Sequence, residues 1–242
     1  MAAALVTGAS RGIGRAIALR LAEDGYDISV GYAQNRAGAQ DVARRVRSAG
    51  RRASVLEGDL ANVETPRELV ESTVAELGPV QVLVANAGIA AAPVGVSAIA
   101  SEDWDRMLAV NLRAPFLLAQ QVFPGMCERG LGRIVFISSV AAYTGGLIGA
   151  HYAASKAGLH GLAHSLAREG AAHGVTVNTV APALVEGDMI PQDHDLRERL
   201  AASRAVGRLG APEEVADLVA AVVRNGYLTN QSIVLDGGTH PT

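Results

Sequence analysis

The sequence predicts a single α/β domain over residues 1–242: a doubly wound, seven-stranded parallel sheet with helices on both faces. Seven short apolar runs, amphipathic stretches of ten or more residues between neighbouring runs, and the unbroken apolar character of each run lead to that class. Strands buried on both faces need no polar alternation. The first run, AALV at 3–6, leads into TGASRGIG and then the helical RAIALRLAEDG, which Gly25 ends. DISVGY is the second strand, and the helix after it stops at Gly50. ASVLEG is the third, and Thr65-Pro66 with Glu68 resembles a capped helix start. VQVLVAN, RIVFIS, VTVNTVAP and SIVLDGG supply the remaining strands, and Pro212 in APEEVADLV opens the last helix. No repeat, low-complexity tract or linker divides the 242 residues, of which 49% are hydrophobic and 27 are glycine.

Charge and composition exclude several classes. A net charge of -3 gives no footprint for nucleic acid, and no basic amphipathic helix suggests a membrane surface. No apolar run approaches the ~20 residues that span a bilayer. A strand-like segment so soon after Met1 leaves no room for a signal peptide, so a cytoplasmic protein is expected. The single cysteine, Cys127, rules out an internal disulfide and a cysteine zinc site and is expected to pack as a small hydrophobe.

Strand, glycine turn and helix occur in the order a dinucleotide site requires. Gly8, Gly12 and Gly14 allow the backbone to approach a pyrophosphate, which then sits against the amides of a helix start. The turn lacks the Lys-Ser/Thr of a P-loop, which argues against an ATPase or GTPase. At the end of the second strand, VGYAQNRAG carries no acid to hold a ribose 2′-hydroxyl; Asp27 comes too early and Asp41 too late. Arg11 and Arg36 stand where they can approach a 2′-phosphate, so NADP is favoured over NAD.

The chemistry lies in HYAASK at 151–156. Tyr152 and Lys156, four apart, share one helix face, and an ammonium beside a phenol, joined by the positive nicotinamide of an oxidised cofactor, favours the phenolate. Ala153, Ala154, Ala157 and Gly158 keep the surroundings bare. Ser139 ends the buried strand RIVFISS, where ligands of α/β sheets bind, and can hold a carbonyl oxygen while Tyr152 protonates it. Asn111 is the further candidate, able to fix a water or a backbone bend behind Lys156. His160 and His164 have the spacing of paired zinc ligands without a third, so no metal is expected. The acidic EGDMIPQDHDLRERL after the sixth strand reads as a lid over the substrate.

These residues, with GDL at 58–60, NAG at 86–88 and DGG at 236–238 in order along almost the whole chain, resemble the short-chain dehydrogenase/reductase family. The resemblance implies a Rossmann-like fold, hydride transfer between a nicotinamide and a carbonyl or alcohol, and a catalytic tetrad of Asn111, Ser139, Tyr152 and Lys156. Tyr152 would be the acid or base, and Lys156 would also hold the nicotinamide ribose. It implies cofactor contacts from Gly8, Ser10, Arg11, Gly12, Ile13, Gly14, Asn35, Arg36, Asp59, Leu60, Asn86, Ala87, Gly88, Pro182 and Val185. LVTGASRGIGRAIALRLA, SLAREGAAHGVTVNTVAP and GRLGAPEEVADLV are similar to bacterial 3-oxoacyl-acyl-carrier-protein reductases, homotetramers that use NADPH to form (3R)-hydroxyacyl products. That implies an acyl-carrier-protein partner, met by Arg129, Arg133 and Arg168. A reductase of free ketones, sugars or secondary alcohols is the alternative, and a cofactor-binding regulator without turnover is the other class. The chain departs from the family pattern at Ala85, His173, Ala183 and Gly187, the last standing where the family has a threonine.

Overall fold

The computed structural model describes residues 2–187, 190 and 193–239. Seven parallel strands, β1 (Ala3–Val6), β2 (Asp27–Tyr32), β3 (Ala53–Glu57), β4 (Val80–Ala85), β5 (Gly132–Ile137), β6 (Val175–Pro182) and β7 (Ser232–Leu235), lie in the order β3-β2-β1-β4-β5-β6-β7. The helices are α1 (Gly12–Glu23), α2 (Arg36–Ser48), α3 (Thr65–Leu77), α4 (Ser101–Leu108), α5 (Ala114–Glu128), α6 (Ala141–Thr144), α7 (Ala150–Gly170), α8 (His194–Ala202) and α9 (Pro212–Arg224). Each strand run expected from the sequence is a strand, within about two residues at its ends except β7, which stops before Asp236. No described helix is long and apolar enough to cross a membrane.

The strands divide their side chains between two cores. Ala4, Val6, Val82, Val84, Val135 and Ile137 pack under α1, α2 and α9, while Leu5, Leu83, Phe136 and Val177 pack under α3, α5 and α7. This two-sided burial explains the unbroken apolar runs. β1 and β4 are neighbours, and the chain winds outward from them in opposite directions, so the crevice for a ligand opens beyond Val6 and Ala85.

One expected start is corrected. Thr65 lies inside α3 rather than capping it; the N-cap is Glu64, with no side-chain cap bond, and Pro66 provides the preset backbone of the first turn. The α9 start is as expected, with Pro212 first and Glu214 accepting the Ala211 N–H at 2.8 Å.

At the amino end of the sheet a buried acid clasps three elements. Asp27, 1% exposed, accepts the Arg52 backbone N–H and Nε–H, each at 2.9 Å, and pairs with Arg51 at 3.0 Å. Arg52 continues to the Leu77 carbonyl at 2.7 Å, joining β2, β3 and the end of α3. Burial alone would raise the Asp27 carboxyl, but the Arg52 hydrogen bonds and the two guanidinium charges outweigh it and hold the group below the usual range. Its contribution to stability is therefore present above the unfolded value near pH 4 and is lost as the pH falls through the lower folded value. We expect Asp27→Ala to cost about 3 kcal/mol, or roughly 6–12 °C in Tm, while cofactor affinity stays unchanged because the crevice lies at the other end of the strands. Thermal melts at pH 7 check this; a change below about 2 °C would contradict it.

Candidate active site

β1 delivers Thr7 and the glycine turn to the crevice, and β4 delivers Asn86 beside it. The Thr7 hydroxyl accepts the backbone N–H groups of Asn86 and Ala87, each at 3.1 Å. Asn86 Nδ2 returns donors to the Thr7 and Gly8 carbonyls at 2.9 and 3.2 Å, so its side chain braces the turn. A Cβ on Gly14 would stand 2.3 Å from the Gly8 carbonyl oxygen, which only glycine avoids. Next to Gly12 a Cβ would meet nothing within 4 Å, so the turn is open on its outer side. α1 begins there with no side-chain cap and no acid in its first turn. Uncapped amides above an open turn fit a pyrophosphate.

At the ends of β2 and β3, Asn35 accepts the Gly38 N–H at 2.9 Å and so caps α2, whose first residue is Arg36. Asp59 folds back on the Ala61 N–H at 2.9 Å, and Leu60 is buried. Sequence reading missed an acid here: Tyr32 and Glu57 are register partners on β2 and β3, and the phenol donates to Glu57 at 2.7 Å. The Glu57 hydrogen bond raises the Tyr32 phenol, while the positive charge of Arg36 opposes the rise, which places Arg36 at this corner. The neighbouring strand's end carried the signal.

The reacting groups gather where β5 ends and α7 begins. Tyr152, 8% exposed, and Lys156, 5% exposed, lie one turn apart on α7, with the ammonium 5.8 Å from the phenol ring centre. Ser139 lies within hydrogen-bonding reach of the phenol and accepts the Ala141 N–H at 3.1 Å. Burial raises the Tyr152 phenol, and the Ser139 contact opposes that without reversing it. In the cofactor-free chain the tyrosine is thus held as a neutral acid; the phenolate expected from the sequence also needs the positive nicotinamide of an oxidised cofactor. Lys156 is the only lysine of the chain. Its ammonium donates to the Ile137 carbonyl at 2.9 Å, and burial lowers it to about 8.

Asn111 is fully buried in a π-helical turn, Ala109–Arg113, between α4 and α5. Pro115, four residues on, has no N–H for the Asn111 carbonyl, and Ala114 bonds back to Ala109. The Asn111 amide accepts the Ile89 N–H at 2.8 Å and donates to the Ile89 carbonyl at 3.0 Å and to Ser155 at 3.2 Å. It therefore fixes a backbone bend, one of the two roles expected. Gly88 lies against it: a Cβ there would stand 3.2 Å from Asn111 Oδ1 and 3.3 Å from Lys156 Nζ.

Pro182 accepts the Val140 N–H at 3.1 Å, and Val185 bridges to Gly210. Gly187 has φ +156, a backbone conformation that a threonine would occupy only with strain. His160 and His164 turn to different partners, Ser138 at 2.8 Å and Asn230 at 2.6 Å. Of the expected lid, Asp188, Met189, Pro191 and Gln192 lie outside the described residues; Arg197 of α8 pairs with Glu186.

Arg129 and Arg133, expected to meet a carrier, stand at the amino end of the strands, opposite the crevice mouth. Arg129 donates to the carbonyl of Val80, the first residue of β4, and Arg133 donates to Gly132, Gly174 and Val223 carbonyls. Six extended residues separate Arg133 from Ser139, roughly 20 Å. Arg168, sixteen residues along α7 from Tyr152, is about 24 Å away.

Comparison with known proteins bears directly on this geometry. A family model for short chain dehydrogenases matches residues 2–197. The chain belongs to the short-chain dehydrogenase family. This dehydrogenase is 36% identical over 240 residues to a 3-oxoacyl-acyl-carrier-protein reductase FabG of Staphylococcus aureus, covering 98% of this chain and 97% of that one. Among solved structures, a blue fluorescent protein from a metagenomic library, in complex with NADPH, is 37% identical with a TM-score of 0.93, covering 99% of this chain and 98% of that one. The acetoin dehydrogenase YohF of Salmonella typhimurium is 34% identical with a TM-score of 0.90, covering 98% and 95%.

A single lysine makes the electrostatics directly observable. In cofactor-free dehydrogenase labelled with 13C-lysine, we expect one side-chain resonance titrating near pH 8 instead of the usual ~10.4. A midpoint above about 10 would mean that water reaches the ammonium and that burial does not control it.

Proposed function

We propose that this short-chain dehydrogenase uses NADPH to reduce a 3-oxoacyl thioester carried by an acyl-carrier protein to the (3R)-hydroxyacyl product, as a cytoplasmic homotetramer. The chemistry rests on one observation: a neutral buried phenol, a serine hydroxyl and a buried ammonium converge where the crevice opens. The reduced nicotinamide supplies the hydride. Ser139 orients the carbonyl oxygen, and Tyr152 gives its proton to that oxygen as the hydride reaches carbon. The resulting phenolate forms beside Lys156, whose charge favours it until a solvent proton restores the phenol.

NADP is supported by the absence of an acid at the end of β2 and by Arg11 and Arg36 at the glycine turn and the α2 start. The thioester is supported by near full-length identity to a reductase of that name. A tetramer is supported by two uncovered apolar surfaces: Phe116 on α5, 42% exposed, and β7, only half-buried along its length at the sheet edge.

A free ketone or secondary alcohol is the second reading. The remoteness of Arg129 and Arg133 from the crevice favours it, as does the lack of any charged residue at 87–100 and 139–150, the loops after β4 and β5.

Tyr152→Phe should fold and bind NADPH but lose about 10³-fold in turnover, the range of general acid catalysis combined with loss of an oxyanion donor. Near-normal turnover would sink the assignment. Wild-type kcat/KM should be at least about tenfold higher with NADPH than with NADH, since charge-assisted contacts contribute about 1.5–3 kcal/mol each. Equal values would overturn the cofactor reading. Rates with acetoacetyl thioesters and a panel of free ketones decide the substrate: a decisive advantage for the ketones replaces the thioester with the second reading.

A further inference from the structure

α7 carries Tyr152, Lys156, His160 and His164 at four-residue intervals, a stripe along one face that begins at the reacting phenol. Behind Lys156 this stripe meets the end of β5. Ser138 is 4% exposed, and its hydroxyl donates to the Lys156 backbone carbonyl at 3.0 Å. With that proton committed, the 2.8 Å contact between Ser138 Oγ and His160 Nε2 requires the imidazole N–H as donor. The residue before Ser138, Ile137, accepts the Lys156 ammonium through its carbonyl. Lys156 is therefore gripped at both ends by consecutive residues, the last of β5 and the one that follows it. The next residue of that strand segment is Ser139. On its other side His160 lies 5.0 Å from the Tyr143 ring of α6, the helix that follows Ser139.

We propose that Ser138 and His160 form a positioning pair that sets the depth of Lys156 and the spacing between the serine of the β5 end and the tyrosine of α7. Removing the imidazole donor frees the Ser138 hydroxyl to rotate, and the Lys156 carbonyl loses a fixed anchor. Burial, and secondarily His164, lowers His160, which keeps the ring neutral and the arrangement single at neutral pH. Among the described residues, the titratable groups that face the stripe are those on it and Tyr143; Asn111, Gly88 and Ser138 from the opposing elements bring no charge.

Four variants test the pair: Ser138→Ala, His160→Leu, His160→Gln, and Ser138→Ala combined with His160→Leu. Glutamine keeps a donor, whereas leucine fills the site without one. Two readouts are taken, the 13C-lysine titration of the cofactor-free protein and kcat with KM in carbonyl-dependent NADPH oxidation. We expect Ser138→Ala and His160→Leu each to raise the Lys156 midpoint by about half a pH unit or more, as the side chain loosens toward water. Each should lower kcat about tenfold with KM for the carbonyl nearly unchanged, the cost of a small misplacement. His160→Gln should restore both, and the double variant should match either single one. A packing role predicts the reverse order, with leucine as good as the wild type and glutamine worse; that order, or additive single effects, overturns the proposal. Should His160→Leu fail to fold, Ser138→Ala removes one oxygen and reads the same quantities. The kinetic arm rests on the reductase reading. If the wild type turns over no carbonyl, that reading fails, and the lysine titration still decides the pair.

Discussion

A lone ammonium buried without a carboxylate is the constraint around which this dehydrogenase is arranged. Lys156 is 5% exposed, and among the described residues its hydrogen-bond partner is a single backbone carbonyl. Buried charges are costly unless paired, and the cost is visible as an ammonium lowered to about 8. The elements around it tolerate the charge by exclusion and by fixed dipoles: Gly88 makes room, Ile137 accepts, and the Asn111 amide pins the chain at Ile89 next to it. An incoming phenolate is the partner that this cation lacks at rest.

The same constraint explains the division of labour at the site. Burial holds the Tyr152 phenol neutral in the cofactor-free chain, so the protein itself presents an acid. Charge appears on that oxygen only as a proton is given away, and the ammonium then gains what its burial had cost. Such a site is built for the charge of the reacting state more than for the resting one. The clasp at Asp27 contrasts with it: there two guanidiniums complete the pairing, the acid is held low, and the result is stability at the end of the sheet that does no chemistry.

Much of this was legible in the sequence because it is written in short-range pattern. Unbroken apolar runs announce strands covered on both faces, and Tyr152 with Lys156 announces a shared helix face. Residues whose partners are distant in sequence were less legible. Asn86 read as a ligand contact, and its amide also holds the Thr7 and Gly8 carbonyls, because a buried amide binds whatever carbonyls the fold brings near; the backbone bend expected at Asn111 is the one its amide makes at Ile89. Glu57 reaches Tyr32 through strand register, and His160 reaches Ser138 through the packing of α7 on β5. Arg129 and Arg133 read as a docking surface, and sequence position near a strand did not say that both lie at the amino end of the sheet. The π-helical turn had a signal in Pro115, four residues beyond Asn111.

The central claim is that the protein alone keeps Tyr152 protonated and that charge brought by the oxidised cofactor, acting with Lys156, releases its proton. Ultraviolet difference titration of the wild type against Tyr152→Phe isolates this phenol from the other four tyrosines. Without cofactor the midpoint should lie above the ordinary value of about 10, and saturating NADP⁺ should lower it by one pH unit or more. In Lys156→Ala that drop should shrink. An unchanged midpoint with and without NADP⁺ in the wild type, or a phenolate already present at neutral pH in the cofactor-free protein, would contradict the account.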